Sequence, residues 1–531
     1  MEDIYNIVCK RYSGKMADLG IKYKKKYPEW WLSPISEKNG WPPKSVVNEC
    51  ILEYLKRLVS ECDEEIICIT SSTFNLIETK KLSSRENISC SIYGYRYYLS
   101  EFVKLYFHYS LEFLYLGFKF IKNKMALYRY YNNEHHNAAN SSIVLLRTYC
   151  NESSFQDNGK FKDRVFGDLK KKLEEQGLEV IYHPNLSMIQ NKEKVYKWLS
   201  ASHEDDFWIL ENYLTYKDLF MAYMNVVKQF ALMHRLGHSV YLNLESSLVI
   251  TTGENYLKSL VPQKLAQQGI KPLYILFDWE NKAYEKYMCV LSKSYLPESI
   301  MVGYISGIPF PTGPRTNLSK KEAMIVPLPD KIVCCSQYVY DWMTDVGFTE
   351  TKLVVGPSIR QNHVFDDHIM SSDEFIMVAL PLNYNLSFEL VSEMILFARH
   401  NTNYDILLKP HPFLKIESII EANEPLPANV FISNEDMSAL LQKCRYFVYV
   451  GPTTTACEAF VLGKYVCRYV SNSNFSLDCL HFKFNDMIFS FTESIELEEY
   501  ISNTSKADNG EPYKGYIFNQ VEEGCEEAFL N

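Results

Sequence analysis

The sequence predicts an α/β protein of two Rossmann-like domains, each a parallel sheet covered by helices. Three observations predict it. Short unbroken apolar runs recur along the chain, and continuous runs, unlike alternating ones, mark strands buried on both faces. Helical patterns separate them: a strand at 142–149, a helix to about Gly177 and a strand at 178–183 form one parallel unit. The 531 residues also exceed what one core supports. The expected division is 1–315, 316–500 and a tail, 501–531, that crosses back to the first domain.

Composition narrows the function. The net charge of −10, with no basic stripe, argues against a nucleic-acid partner. The 14 cysteines show no paired zinc-type spacing and read as reduced thiols of a cytoplasmic protein.

In chain order, residues 1–62 read as mostly helical. A basic run, Lys22-Tyr23-Lys24-Lys25-Lys26, precedes Trp30-Trp31-Leu32. The tryptophans are expected to be buried in a domain seam, with contact to an anionic membrane surface as the alternative. Residues 65–70 are the first strand candidate. Residues 102–121 are the most apolar segment, interrupted by Lys104, His108, Glu112 and Lys119. Those four share one helical face, so an amphipathic helix packed inside the fold is expected. Lying on a membrane or holding an acceptor lipid are the alternatives.

The loop after the strand at 142–149 stands at a carboxyl end, where α/β sheets bind ligands. Asp157, Asp163 and Arg164 in or beside it are candidate acceptor-binding residues, and pairing of Asp163 with Arg164 is the plain alternative. Residues 213–236 form a long helix. His234 and His238 are spaced like metal ligands but lack a third partner at a recognisable spacing. The strand at 272–277 ends in Asp278-Trp279-Glu280-Asn281. Two carboxylates there suit a general base or nucleophile, Glu280 first and Asp278 second. Capping of the next helix by Glu280 is the alternative. Residues 300–304 make a strand, and the Pro/Gly-dense 309–315 is the expected crossover. Strands at 331–335 and 352–355 are assigned to the second domain, with Arg360 beyond them as a phosphate contact.

The most explicit chemistry lies between 405 and 458. One buried run ends in Lys409-Pro410-His411-Pro412 and another in Gly451-Pro452-Thr453-Thr454-Thr455-Ala456-Cys457-Glu458. A helix starting at the threonines would favour an anion at its N-terminus, although Thr there is also ordinary capping. Lys409, His411, Pro412, Thr453, Thr454 and Thr455 are expected to lie side by side and hold a phosphate. Ser433 and Asn434, after the strand between the two motifs, are expected to meet a nucleotide base.

These motifs resemble the C-terminal half of bacterial surface-polysaccharide glycosyltransferases of the GT-B fold. The His-Pro and Thr-rich pair is similar to that of bacterial sialyltransferases and Kdo transferases, which use CMP-activated sugars, and of CDP-glycerol phosphotransferases. Trp279-Glu280-Asn281-Lys282-Ala283-Tyr284-Glu285 and Trp30-Trp31-Leu32-Ser33-Pro34-Ile35-Ser36-Glu37-Lys38-Asn39 resemble a family of surface-carbohydrate (O-antigen) biosynthesis proteins over most of the chain. The resemblance implies two facing Rossmann-like domains with an N-terminal helical elaboration. It implies transfer of Kdo or a nonulosonic acid from a CMP-sugar donor to a surface polysaccharide or lipid-linked glycan. It gives His411 a catalytic part and Glu458 the ribose hydroxyls. Peripheral association with the inner membrane is a further expectation. No Asp-x-Asp motif stands at a convincing strand end, so neither metal nor cofactor is expected. Relatives often carry Gln-His after Gly-Tyr, whereas Gly303-Tyr304 is followed here by Ile305-Ser306-Gly307. The rival readings are a CDP-polyol phosphotransferase and a non-catalytic subunit of a glycan-assembly complex.

Overall fold

The computed structural model describes residues 2–530 except 25–27, 38–43, 62–65, 70–72, 87–89, 94–97, 132–141, 157–158, 187–188, 190, 203–205, 237–251, 310–317, 367–374, 473–483, 485–486 and 504–509. Strands β1 (Ile66–Ile69) and β2 (Cys90–Tyr93) pair in parallel as a small sheet. The fold is carried by two parallel six-stranded sheets. The first holds β3 (Ile143–Cys150), β4 (Glu179–Leu186), β5 (Tyr274–Asp278), β6 (Ile300–Ile305), β7 (Lys331–Cys334) and β8 (Leu353–Val355), in the order β4-β3-β5-β6-β7-β8. The second holds β9 (Phe375–Leu380), β10 (Asp405–Pro410), β11 (Val430–Ile432), β12 (Tyr446–Val450), β13 (Tyr465–Tyr469) and β14 (Phe489–Phe491), in the order β11-β10-β9-β12-β13-β14. The expected two-domain α/β architecture is therefore present. The apolar runs are strands because both their faces are covered: Val144, Leu145, Leu146, Val448 and Phe447 are fully buried.

The division between the domains differs from the expectation. Lys331–Cys334 and Leu353–Val355 were assigned to the second domain, but β7 pairs with β6 and β8 with β7, so both complete the first sheet. The second sheet begins at Phe375. A buried run carries no label for the sheet it joins, and pairing decides it. Most of the supposed crossover at 309–315 lies outside the described residues.

The last segment returns to the first domain. Ser358 N–H donates to Asn519 O at 2.7 Å, and Asn519 N–H donates to Ser358 Oγ at 2.9 Å. The Tyr274 hydroxyl donates to Leu530 O at 2.8 Å. Phe529 packs edge-on against Tyr304 and Phe166.

Trp30 and Trp31 are buried as expected, but inside the first domain, against the helices Glu2–Lys24 and Ala283–Tyr295, and not in a seam between domains. Of the four polar residues expected on one face of the helix Tyr98–Tyr130, Lys119 is the one whose side chain is described. Leu116, Phe120 and Leu127 face inward together with Lys119, which pairs with Glu254. Leu114, Phe118, Met125 and Tyr128 are exposed, Tyr128 by 91%. Among the described side chains, internal packing thus covers one face only. The side chains of Lys104, His108, Glu112, His234 and His238 lie outside the described ones. Among the described residues, no helix is long and apolar enough to cross a membrane.

Candidate active site

Each sheet has one point where the strand order reverses, and ligands of open α/β sheets sit beyond the strand ends there. In the first sheet that point lies between β3 and β5, in the second between β9 and β12. Asp278 ends β5, and Tyr149 lies near the end of β3. The first reversal therefore carries a carboxylate.

The loop after β5 is held rigidly. Trp279 is buried against Gly303, where a Cβ would come within 2.9 Å of the indole, and stands edge-on to Phe348. Trp279 N–H donates to Tyr304 O at 2.8 Å, carrying the β5–β6 ladder one step further. Asn281 then takes φ +58, a left-handed conformation that Asn tolerates better than most residues. Glu280 does not cap the next helix, Ala283–Tyr295. Glu285 does, accepting from Glu280 N–H at 3.0 Å and Lys282 N–H at 2.9 Å, and Glu37 accepts from Ala283 N–H at 3.1 Å. The stretches around Trp30 and Trp279, read separately in the sequence, thus build one turn.

That turn leaves both carboxylates to the cleft. Glu280 forms an ion pair with Lys282 at 2.7 Å, and its side chain is 43% exposed. The Lys282 ammonium also donates to the Tyr149 hydroxyl. Asp278 lies deeper. Burial, and then the Glu280 charge, push its carboxyl up to about 7, against a hydrogen bond from Ser306 and the charges of Arg360 and Lys282. Arg360 Nη1 donates to Ser306 Oγ at 3.4 Å, so an Arg360–Ser306–Asp278 chain crosses the tips of β8, β6 and β5. Arg360 consequently belongs to the first domain's side of the cleft.

On the other side, Thr453 caps the helix Thr454–Val461, its hydroxyl accepting from Thr455 N–H at 3.3 Å. Gly451 takes φ +72 in the tight turn before it. Lys409 in β10 and His411 beyond it are half-buried, and Pro412 is exposed. His411 Nδ1 accepts from Phe413 N–H at 3.2 Å, so the neutral ring carries its proton on Nε2. Burial lowers the His411 pKa, which favours that neutral form.

The two motifs are not side by side. β9 runs between β10 and β12, so their tips stand about two strand spacings, roughly 10 Å, apart. They share one edge of the sheet, with Pro381, Leu382 and Asn383 after β9 between them. Ser433 and Asn434 follow the edge strand β11, beyond β10. Ser433 is buried and its hydroxyl accepts from Glu435 N–H at 3.2 Å, closing its own turn, whereas Asn434 is exposed. Glu458 is engaged already: it lies 3.2 Å from His363 Nε2, and that contact raises the His363 pKa. His363 follows β8 of the first domain, so the pair ties the domains together.

The facing edges meet elsewhere too. A Cβ on Gly307, just beyond β6, would lie 3.8 Å from the Thr454 methyl. The positive charge of Arg164, on the first domain, acts on Asp436 of the second, as does that of Lys409 from within the second domain. Of the three acceptor candidates, Arg164 is exposed there and Asp157 lies outside the described residues. Asp163 is buried; it accepts from the Thr148 hydroxyl at 2.7 Å and from Val165 and Phe166 N–H at 2.8 and 3.0 Å. It closes the turn after β3 and does not present a carboxylate to a ligand. Ser306, Lys282, Tyr149 and His363 were not singled out from the sequence. Only Ser306 carried a signal, as part of the departure from Gln-His.

No family model matches the chain, and no curated protein does. Among solved structures, the chain is similar to S. aureus MnaA with UDP, at 10% identity and a TM-score of 0.44, over 73% of this chain and 95% of that one. It is similar to CalG4, the calicheamicin glycosyltransferase, at 11% identity and a TM-score of 0.40, over 74% and 94%. It is also similar to the wall teichoic acid polymerase TagF soaked with CDPG, at 10% identity and a TM-score of 0.34, over 79% and 93%. These likenesses are likenesses of fold.

Proposed function

We propose that the protein is a glycosyltransferase that moves Kdo or a nonulosonic acid from a CMP-sugar to a surface polysaccharide or lipid-linked glycan. The observation that carries the reading is the opposition of two unlike sites across one cleft. A carboxylate with a pKa near neutrality stands at one sheet's reversal point, and a helix N-terminus rich in hydroxyls at the other's. The first suits a general base, whose best pKa lies near the working pH. The second suits a phosphate.

In this reading Asp278 takes the proton of the acceptor hydroxyl as its oxygen attacks the anomeric carbon. The bond from that carbon to the phosphate oxygen breaks, and CMP leaves with the electron pair. Thr454, Thr455 and the helix start meet the phosphate charge, with Lys409 and the Nε2–H of His411 supplying donors from the β10 side. Protein groups thereby supply the positive field without a metal. Glu280, paired with Lys282, receives acceptor hydroxyls, and Arg360 holds Ser306 in place on Asp278. The test is CMP release from CMP-Kdo and CMP-sialic acid, with CDP-glycerol and UDP-N-acetylglucosamine as comparators. Turnover of a CMP-sugar is expected. Turnover of CDP-glycerol alone replaces the reading with the polyol phosphotransferase, and stability unmoved by every nucleotide replaces it with a non-catalytic role.

A further inference from the structure

The first domain carries an open pocket that the reaction described above does not use. It lies between the inward face of the helix Tyr98–Tyr130, the helix Thr252–Ser259 and the tip of β4. Leu116, Phe120 and Leu186 give it an apolar wall. Lys119, Lys124, Lys192 and Lys258 enter it against only Glu211 and Glu254, a positive surplus in a chain whose net charge is −10.

Three of these lysines are engaged. Lys119 pairs with Glu254, Lys124 donates to Asn212 O at 2.8 Å, and Lys192 donates to Asn123 Oδ1 at 3.1 Å. Lys258 is different. Its ammonium lies 5.7 Å from the centre of the Tyr284 ring and has no hydrogen-bond or ion-pair partner among the described residues. Glu254 acts on it through its charge without a direct contact, and a half-buried cation with no hydrogen-bonded acceptor is a site for an anion, because incomplete solvation strengthens the attraction. Burial also lowers Lys124, Lys192 and Lys258 below the usual lysine range, as expected where water is scarce.

A relay of side chains links Lys258 to the candidate active site. Tyr284, beside Lys258, hydrogen-bonds Tyr149, and Tyr149 receives the Lys282 ammonium that pairs with Glu280.

We propose that this pocket holds the acceptor by a phosphate or diphosphate group whose attached hydrocarbon lies on the Leu116, Phe120 and Leu186 wall. Several separate ammonium groups suit a polyanion with oxygens pointing in several directions better than a single carboxylate, and the apolar wall suits a lipid chain. The proposal rests on the transferase reading for what the acceptor is, but its site shares no residue with the donor cradle.

The test is calorimetric titration of the full chain with inorganic pyrophosphate, farnesyl diphosphate and CMP, in the wild type and in Lys258→Met. Both diphosphates are expected to bind, with the farnesyl compound roughly tenfold tighter for the area its chain buries. Lys258→Met should weaken both by roughly tenfold or more, the worth of a charge-assisted bond, and leave CMP binding and the melting temperature unchanged. Lys192→Met gives the same readout should Lys258→Met fold poorly. Absence of diphosphate binding, or binding that neither variant weakens, overturns the site. Equal affinity for the two diphosphates overturns the lipid acceptor and leaves a pocket for a free phosphate. Failure of CMP to bind the wild type counts against the donor reading alone.

Discussion

Replacing Asp278 with Asn separates the cost of a buried acid from its use. In the folded chain the carboxyl is raised from 3.8 to about 7, chiefly by burial and next by Glu280. The folded state therefore keeps its proton over about three pH units in which the unfolded chain has lost it. Each unit is worth about 1.4 kcal/mol. The sign follows from linkage: the contribution is fully present below the unfolded value and is lost as pH rises toward the folded one. Asn is neutral throughout and nearly the same shape. Unfolding by urea at pH 5 and pH 8 should thus show the variant gaining roughly 2–3 kcal/mol on the wild type between the two, for the two units from 5 to 7. Above pH 8 the gap should stay constant. Activity should move the other way. Wild-type kcat/KM should rise with pH through a midpoint near 7, as a base must be unprotonated, while the variant should fall by roughly 10²- to 10⁴-fold. Parallel stability profiles would refute the placement of Asp278 as a poorly solvated acid. A variant with wild-type turnover would remove it from the reaction.

His411→Ala should cost roughly 10- to 100-fold in kcat/KM with an unchanged melting temperature, the worth of one donor to a charged phosphate; unchanged kinetics would remove His411 from the cradle. Glu458→Gln should destabilise by about 1 kcal/mol at pH 6, where His363 is charged, and less at pH 9. Here the folded value is raised above 6.5, so the stabilisation is complete below that pH and lost above the raised value; equal loss at both pH values would show that the pair does not carry it. Asp163→Ala should lower stability by about 2–4 kcal/mol, since it strips the acceptor from three donors, two of them backbone amides. Its KM for acceptor should not change, and a raised KM in a stably folded variant would restore the ligand role.

Much of this was legible because it is local. Buried parallel strands announce themselves as unbroken apolar runs, and Pro, Gly and Thr at their ends mark where the chain turns. The carboxylates after β5 could be singled out from 531 residues for that reason. The errors are non-local. Lys331–Cys334 would read the same in either sheet, and only its pairing with Val302–Ile305 places it. Asp163 reads as a ligand carboxylate because nothing in its neighbours says that Thr148, fifteen positions earlier, will reach it. Lys119 reads as part of a solvated face, and whether that face turns outward depends on Glu254, 135 positions later.

The same distinction explains why the proposed phosphate cradle is wider than its sequence suggests. His411 and the threonines end two strands of one sheet, and chain order makes those strands look adjacent. A doubly wound sheet, however, grows outward from its first strand in both directions. β9 is that first strand here, β10 lies on one side and β12 on the other. The gap this leaves falls at the reversal point, where a ligand can sit between diverging connections. Were β10 and β12 neighbours, their loops would crowd one another and a phosphate would find no room between them. In the proposed reaction, the separation of about two strand spacings would let the helix start at Thr453 meet the phosphate from one side and Lys409 and His411 from the other. Reversing the order of these tips, by moving Lys-Pro-His-Pro to the end of β13, would put the donors beyond the threonines and leave the crevice with one wall.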